Sequence, residues 1–113
     1  MKESILKSKS FALAVRIVRL YKYLSEQKTE YILSKQVLRS GTSVGAMVCE
    51  AEYSESKADF DHKMGIARKE ELNETLYWLE LLLQTEYNSL SADAIESIKI
   101  LTTSIKTAKN INN

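Results

Sequence analysis

Apolar side chains recur every three or four residues in four stretches of this chain, separated by short polar links, a period that fits helices and not strands. The stretch from Tyr31 to Tyr53 organises the rest. Leu33, Val37, Ser40, Val44, Met47 and Ala51 stack on one face of it. Gly41 and Gly45 lie one turn apart beside that seam, and each costs a helix about 1 kcal/mol relative to alanine. Together with Ser40, Ser43 and Ala46 they predict close helix packing at Gly41, Gly45 and Ala46, with another backbone approaching there. The helix is therefore expected at the centre. Arg39, Ser43, Ala46 and Glu50 share one flank of it.

The first stretch, about Ser8 to Ser25, carries Phe11, Val15 and Val18 in one row and Leu13, Ile17, Leu20 and Leu24 in another. With Tyr21 these rows cover about half the circumference, wider than the roughly 100° stripe of a surface helix, so this helix should contact more than one neighbour. SEQKT, residues 25–29, links it to the central helix. The third stretch runs from about Lys57 to Thr85, with Ser56 as N-cap and Asp59 three residues on, a loose capping box. Its seam of Phe60, Met64 and Ala67 continues through Trp78 and Leu82, and from Leu72 a second row appears, Leu72, Leu76, Leu79 and Leu83, about 100° around the helix. The apolar arc widens there. Glu71, Thr75 and Glu74 fall on or beside these rows, so at least one glutamate should be partly buried and in need of a partner. Arg39 is the first candidate, and a backbone or hydroxyl donor is the second.

A fourth stretch, about Ala92 to Lys109, follows the break NSLS with Ser91 as N-cap and Asp93 in the first turn. Its narrow seam is Ala94, Ile98, Leu101, Ile105 and Ala108, and its polar side holds Lys99, Lys106 and Lys109. These patterns predict an all-α fold, an antiparallel up-down-up-down four-helix bundle in a single domain over residues 1–113. Two wide arcs predict apolar surface left over once one bundle has closed, as at an oligomer interface.

The composition changes this picture little. In 113 residues, 44% hydrophobic and 27% charged describe an ordinary globular domain. No apolar run approaches the roughly 18 residues of a membrane span, and MKESILKSKSF holds no uninterrupted apolar core of a signal peptide. A bacterial, cytoplasmic location is the expectation, and the single cysteine, Cys49, fits a reducing compartment. Charge is more informative. The net value is +1, yet residues 1–39 hold nine Lys or Arg against Glu3, Glu26 and Glu30. Arg16, Arg19 and Lys22, with Tyr23, form a basic strip on the first helix, to which Lys28 and Lys35 add. Such a strip holds phosphates and stacks a base, or it is a solvated face that pairs with an acidic neighbour.

The chemistry of an enzyme finds little support. His62 is the sole histidine, and with Asp59 it makes only half of a ferritin-like metal step. It should be an exposed imidazole, away from the Phe60 seam. Cys49 lies on a different helix from His62, with nothing to orient a base, and its position suits a small packing residue. Both paired glycines sit inside a helix, so they form no phosphate loop. No catalytic residue, metal or cofactor is expected. Arg39, Ser43, Glu50 and Glu74 form the main polar set, read as a buried ionic network that fixes helix register, or as a carboxylate of perturbed pKa.

The run VLRSGTSVGAMVCEAEYSESKADFDHKMGIARKE, with NETLYWLELL after it, resembles the four-helix-bundle proteins encoded in intervening sequences of bacterial 23S ribosomal RNA genes. Leu38, Arg39, Ser40, Ser43, Val44, Gly45, Ala46, Glu50, Ala51, Asp59, Phe60, Glu74 and Thr75 carry the likeness, which covers roughly residues 10 to 110. Met47 stands where the family usually has Asn, and Gly45 replaces the commoner Pro. The resemblance implies a homopentamer. It also implies kinship with an accessory factor of diversity-generating retroelements whose basic surface contacts nucleic acid.

Two functions follow as expectations. One is a non-enzymatic homo-oligomer that associates with RNA or DNA through Arg16, Arg19, Lys22, Lys28 and Lys35. The other is a scaffold for another protein, its basic third paired with Glu52, Glu55 or Glu86 of a neighbouring subunit. An isoelectric point near 7.8 argues against strong autonomous nucleic-acid binding, without excluding a local patch after assembly.

Overall fold

A computed structural model describes residues 2–85, 93–100 and 102–103, and every regular element among them is helical. Helix α1 spans Lys2–Gln27 and α2 spans Leu33–Glu52. A third rod follows without a break: α3 over Lys57–Gly65, a π-helical turn over Ile66–Leu72, and α4 over Asn73–Gln84. Residues 93–100 form α5. The NSLS break, the Ser91 cap, and Leu101, Ile105, Lys106, Ala108 and Lys109 of the expected fourth helix lie outside the described residues.

Helix α2 is the hub, because α1, α3, the π-helical turn and α4 all pack against it. Helices α1 and α2 run antiparallel: Lys7 reaches Glu52, Ser10 lies beside Gly45, and Ile17 lies against Gly41. Helix α1 begins six residues earlier than its periodicity predicts, since Leu6 and Ser10 extend the buried row of Leu13, Ile17, Leu20 and Leu24. At 1.5 Å per residue it is about 39 Å long, so it runs most of the molecule's 44 Å axis.

The glycine prediction needs correcting at Gly41, where the neighbour differs, and at Ala46, whereas at Gly45 a backbone oxygen is the nearest atom. A Cβ on Gly41 would lie 2.7 Å from Ile17 Cγ1, so the close neighbour is a β-branched side chain and not a second backbone. At Gly45 the nearest atoms are the Ser10 carbonyl and hydroxyl oxygens at 3.8 and 3.9 Å, an ordinary contact. Ala46 is exposed and packs against nothing in this way, because the seam turns toward Val44 and Val48. Val48 is fully buried, whereas Met47 and Leu33 sit at the edge of the core.

The two links that flank α2 are fixed by local hydrogen bonds. Thr29 has φ 52°, a left-handed conformation costly for a β-branched residue, and it returns the Glu30 N–H to the Leu24 carbonyl at 2.9 Å. The Glu30 carboxylate then accepts from the N–H groups of Ile32, Leu33 and Ser34 at 3.2, 2.9 and 2.7 Å. It thereby satisfies the open N-terminus of α2, where negative charge is also favoured. At the second link Ser56 Oγ accepts from the Asp59 N–H at 3.1 Å, as the sequence predicts. The Asp59 carboxylate returns not to Ser56 but to the Glu55 N–H, at 3.3 Å.

The π-helical turn explains the second apolar row. Fully buried positions of the rod are Met64, Ala67, Leu72, Thr75, Leu79 and Leu82, spaced by three or four except for the five-residue step from Ala67 to Leu72. That step lies inside Ile66–Leu72. One extra residue is absorbed there, so the core seam moves across and one face, not two, is buried. The expected surplus on this rod is thus largely taken up by the core, with Leu76, Trp78 and Leu83 packed at its edge. On α1 the second row behaves differently: Phe11 is 70% exposed, and Val15 and Val18 are half-buried.

Candidate nucleic-acid interface

The helical period that buries Leu13, Ile17, Leu20 and Leu24 turns Arg16, Arg19 and Lys22 outward, and all three are exposed. Lys28, in the first link, and Lys35, in the first turn of α2, are exposed as well. Among the described residues Arg16, Arg19, Lys22 and Lys35 have no ion-pair partner, while the Lys28 ammonium stands 5.9 Å from the centre of the Tyr23 ring. Lys7 is different. It pairs with Glu52 of its own chain at 3.6 Å, so one of the carboxylates expected to face a neighbouring subunit is engaged internally.

Arg39 turns its charge inward toward the third rod. It donates to the Glu74 carboxylate, pairs with Glu71 at 3.9 Å, and also donates to Gln36 Oε1 at 3.3 Å. The same Glu74 oxygen accepts from the Trp78 indole N–H at 3.0 Å. Beneath this cluster Thr75 Oγ1 lies 2.7 Å from Ser40 Oγ and 2.6 Å from the Glu71 carbonyl, and Ser40 Oγ lies 2.9 Å from the Gln36 carbonyl. Two hydroxyl protons thus serve three oxygen contacts across a fully buried seam.

This set differs from the expected network in three ways. The Arg39 side chain is 52% exposed, so the cluster is half-solvated and not buried. Glu50 is exposed and lies eleven residues along α2, roughly 16 Å from Arg39, too far to join it. Ser43 donates only to the Arg39 backbone carbonyl, at 2.7 Å. The Ser40–Thr75 pair was missed, although both residues sit at seam positions where apolar side chains are the norm, which is a usable signal.

A groove of about 450 Å³ runs between α1 and α2, lined chiefly by Phe11, Ala14, Thr42, Gly45, Ala46 and Cys49. Cys49 is exposed in it instead of packed, because it lies on the flank of α2 away from Val48. His62 is exposed, as expected. Asp59 is engaged by Lys63 at 3.2 Å as well as by the Glu55 N–H, and these partners, Lys63 first, hold its carboxyl below the ordinary value of 3.8. His62, Asp61 and Glu70 border a recess of about 240 Å³, but Asp61 is tied to Lys57 at 2.7 Å. The described residues include no group of three or more His, Cys, Asp or Glu able to hold a metal ion, and no helix among them is long and apolar enough to cross a membrane.

Comparison with known proteins bears on the family and the fold. The family model described as 23S rRNA-intervening sequence protein matches residues 2–111. A crystal structure from Bacteroides thetaiotaomicron, described as a protein with unknown function from the S23 ribosomal protein family, is 45% identical, with a TM-score of 0.92 over 97% of this chain and 99% of that one. No curated protein matches the chain.

Proposed function

The chain belongs to the 23S rRNA-intervening sequence protein family, and from that premise we propose that it is a non-enzymatic homo-oligomer, a pentamer, that acts as a nucleic-acid-associated accessory factor in the cytoplasm. The observation that carries the reading is the outer face of α1 with the start of α2. Arg16, Arg19, Lys22 and Lys35 stand there exposed and without an ion-pair partner among the described residues. A folded chain that engages Lys7, Arg39, Lys57 and Lys63 with its own carboxylates leaves this group free for phosphates, each of which releases condensed counterions on binding. Self-association is supported by the groove between α1 and α2 and by Phe11 at its rim. An exposed phenyl ring beside small side chains offers apolar area that a second subunit would cover.

The test is the mass of the purified protein by light scattering, followed by titration of that species with RNA and with DNA at two salt concentrations. An oligomer that binds at low salt and releases at higher salt supports the proposal. The Arg16→Glu, Arg19→Glu double variant should then lose binding while keeping its helicity and its mass. An oligomer that binds at neither salt would transfer the function to a protein partner, with these cations meeting acidic residues of that partner. A stable monomer would refute the assembly.

A further inference from the structure

We infer that the end of the molecule where α1 gives way to α2 is a site for single-stranded nucleic acid, whose bases stack on Tyr23 and Tyr31 while Arg19, Lys22 and Lys35 hold its phosphates. The inference rests on the nucleic-acid reading above and narrows it to a substrate class. Tyr23 is 37% exposed and Tyr31 52% exposed. Tyr23 stands one helical turn from Arg19 on α1, so that ring and that cation are neighbours, and Tyr31, in the link, precedes Lys35 by four residues in sequence.

The backbone around Tyr31 is also held in place. It lies between Glu30, whose N–H is bonded to Leu24, and Ile32, whose N–H is bonded to the Glu30 carboxylate. The backbone that carries the ring is therefore pinned on both sides, so less of the link has to be ordered when a base stacks there. Lys28, 5.9 Å from the centre of the Tyr23 ring, adds a further cation there. Two carboxylates belong to this end. Glu30 is engaged by three backbone N–H groups, and Glu26 is exposed among the cations.

Chemistry favours a single strand. A duplex presents its phosphates outside but keeps its base faces stacked within, so the tyrosines would gain nothing from it, whereas a single strand offers both. Arg16 and Lys22 are separated by about 9 Å along α1, room for a short run of nucleotides and no more. One chain should hold such a strand weakly, and repeated copies in an assembly should hold a longer one in proportion to their number.

The experiment is fluorescence anisotropy on the full chain, using an RNA of about 12 nucleotides in mixed sequence, long enough to overhang one such site or bridge neighbouring copies, and a duplex of the same sequence. The unaltered protein should bind the single strand at least tenfold more tightly than the duplex, a comparison that needs no variant. Tyr23→Ala and Tyr31→Ala should each weaken single-strand binding about tenfold and leave duplex binding unchanged, with the phenylalanine variants close to the parent. Equal affinity for both forms, with neither alanine variant affected but Arg16→Glu, Arg19→Glu inactive on both, would overturn this inference and leave the broader proposal intact. Absence of binding to either form at low salt would overturn both.

Discussion

Helix α2 meets its two principal neighbours in opposite ways. Toward α1 the seam is set by shape: Ile17 fills the space that Gly41 leaves, and the one ion pair between these helices among the described residues, Lys7 with Glu52, lies at its end. Toward the third rod the seam is set by hydrogen bonds, from the Ser40–Thr75 hydroxyl pair to Arg39, Glu74 and Trp78. A shape-fitted seam tolerates sliding poorly but asks little of polar chemistry, whereas a hydrogen-bonded seam specifies one register. The difference also separates two groups of cations. Arg39 belongs to the second seam and is neutralised by it. Arg16, Arg19 and Lys22 lie outside it and, among the described residues, pair with no carboxylate.

The largest effect should come from breaking the register that the second seam requires. Deleting Tyr77 inside α4 would rotate Leu79 and Leu82 about 100° off the core. Since losing one buried leucine side chain costs about 2–5 kcal/mol, that variant should not fold stably. Deleting Lys69 inside the π-helical turn should be far milder. It shortens the five-residue step between Ala67 and Leu72 to four, and an ordinary α-helix then satisfies every buried position. Thermal unfolding of the two deletions compares them directly, and equal damage would mean that the π-helical turn is not what sets the register.

The next effect belongs to the shape-fitted seam. Gly41→Ala gains about 1 kcal/mol of helix propensity but forces a methyl against the stiff Ile17 side chain, and overpacking of that kind costs about 1–3 kcal/mol. The expected outcome is a net loss of up to about 2 kcal/mol. Gly45→Ala meets only an ordinary contact, so it should gain up to about 1 kcal/mol. Denaturant midpoints of both variants should move in opposite directions. The hydrogen-bonded seam comes third: Thr75→Val keeps the shape and removes the bond to Ser40, which should cost about 1 kcal/mol. Glu71, Glu74 and Arg39, being partly solvated, add less per pair.

Sequence periodicity revealed most of this architecture because burial follows it. The span of the third rod, the Ser56 cap, the central place of α2 and the buried row of α1 were all legible from spacing alone. The π-helical turn left a trace that was misread, since a seam that jumps by about 100° at Leu72 looks like a second row when a constant 100° per residue is assumed. Arg39 with Glu74 was legible because a charged residue beside a seam needs a partner. Glu50 was wrongly joined to that pair because sharing a flank says nothing about distance along it. Ala46 and Cys49 were read as packed because small residues look alike whether a neighbour covers them or not. The Glu30 cap escaped notice because a glutamate before a helix is not an expected N-cap, and Thr29 because nothing in its chemistry announces a left-handed turn.

The smallest expected effect tests the end of the second seam, where the third rod begins. Asp59 is lowered below 3.8 by Lys63 and then by the Glu55 N–H, so its charged form is favoured by folding. Its contribution is therefore present in full above pH 3.8 and disappears as the pH falls through the lower folded value. Asp59→Asn should melt slightly below the parent at neutral pH, and the gap should close in acid. Because Ser56 still caps the helix in that variant, any gap that persists unchanged at low pH would show that the carboxylate's charge was never the source of the difference.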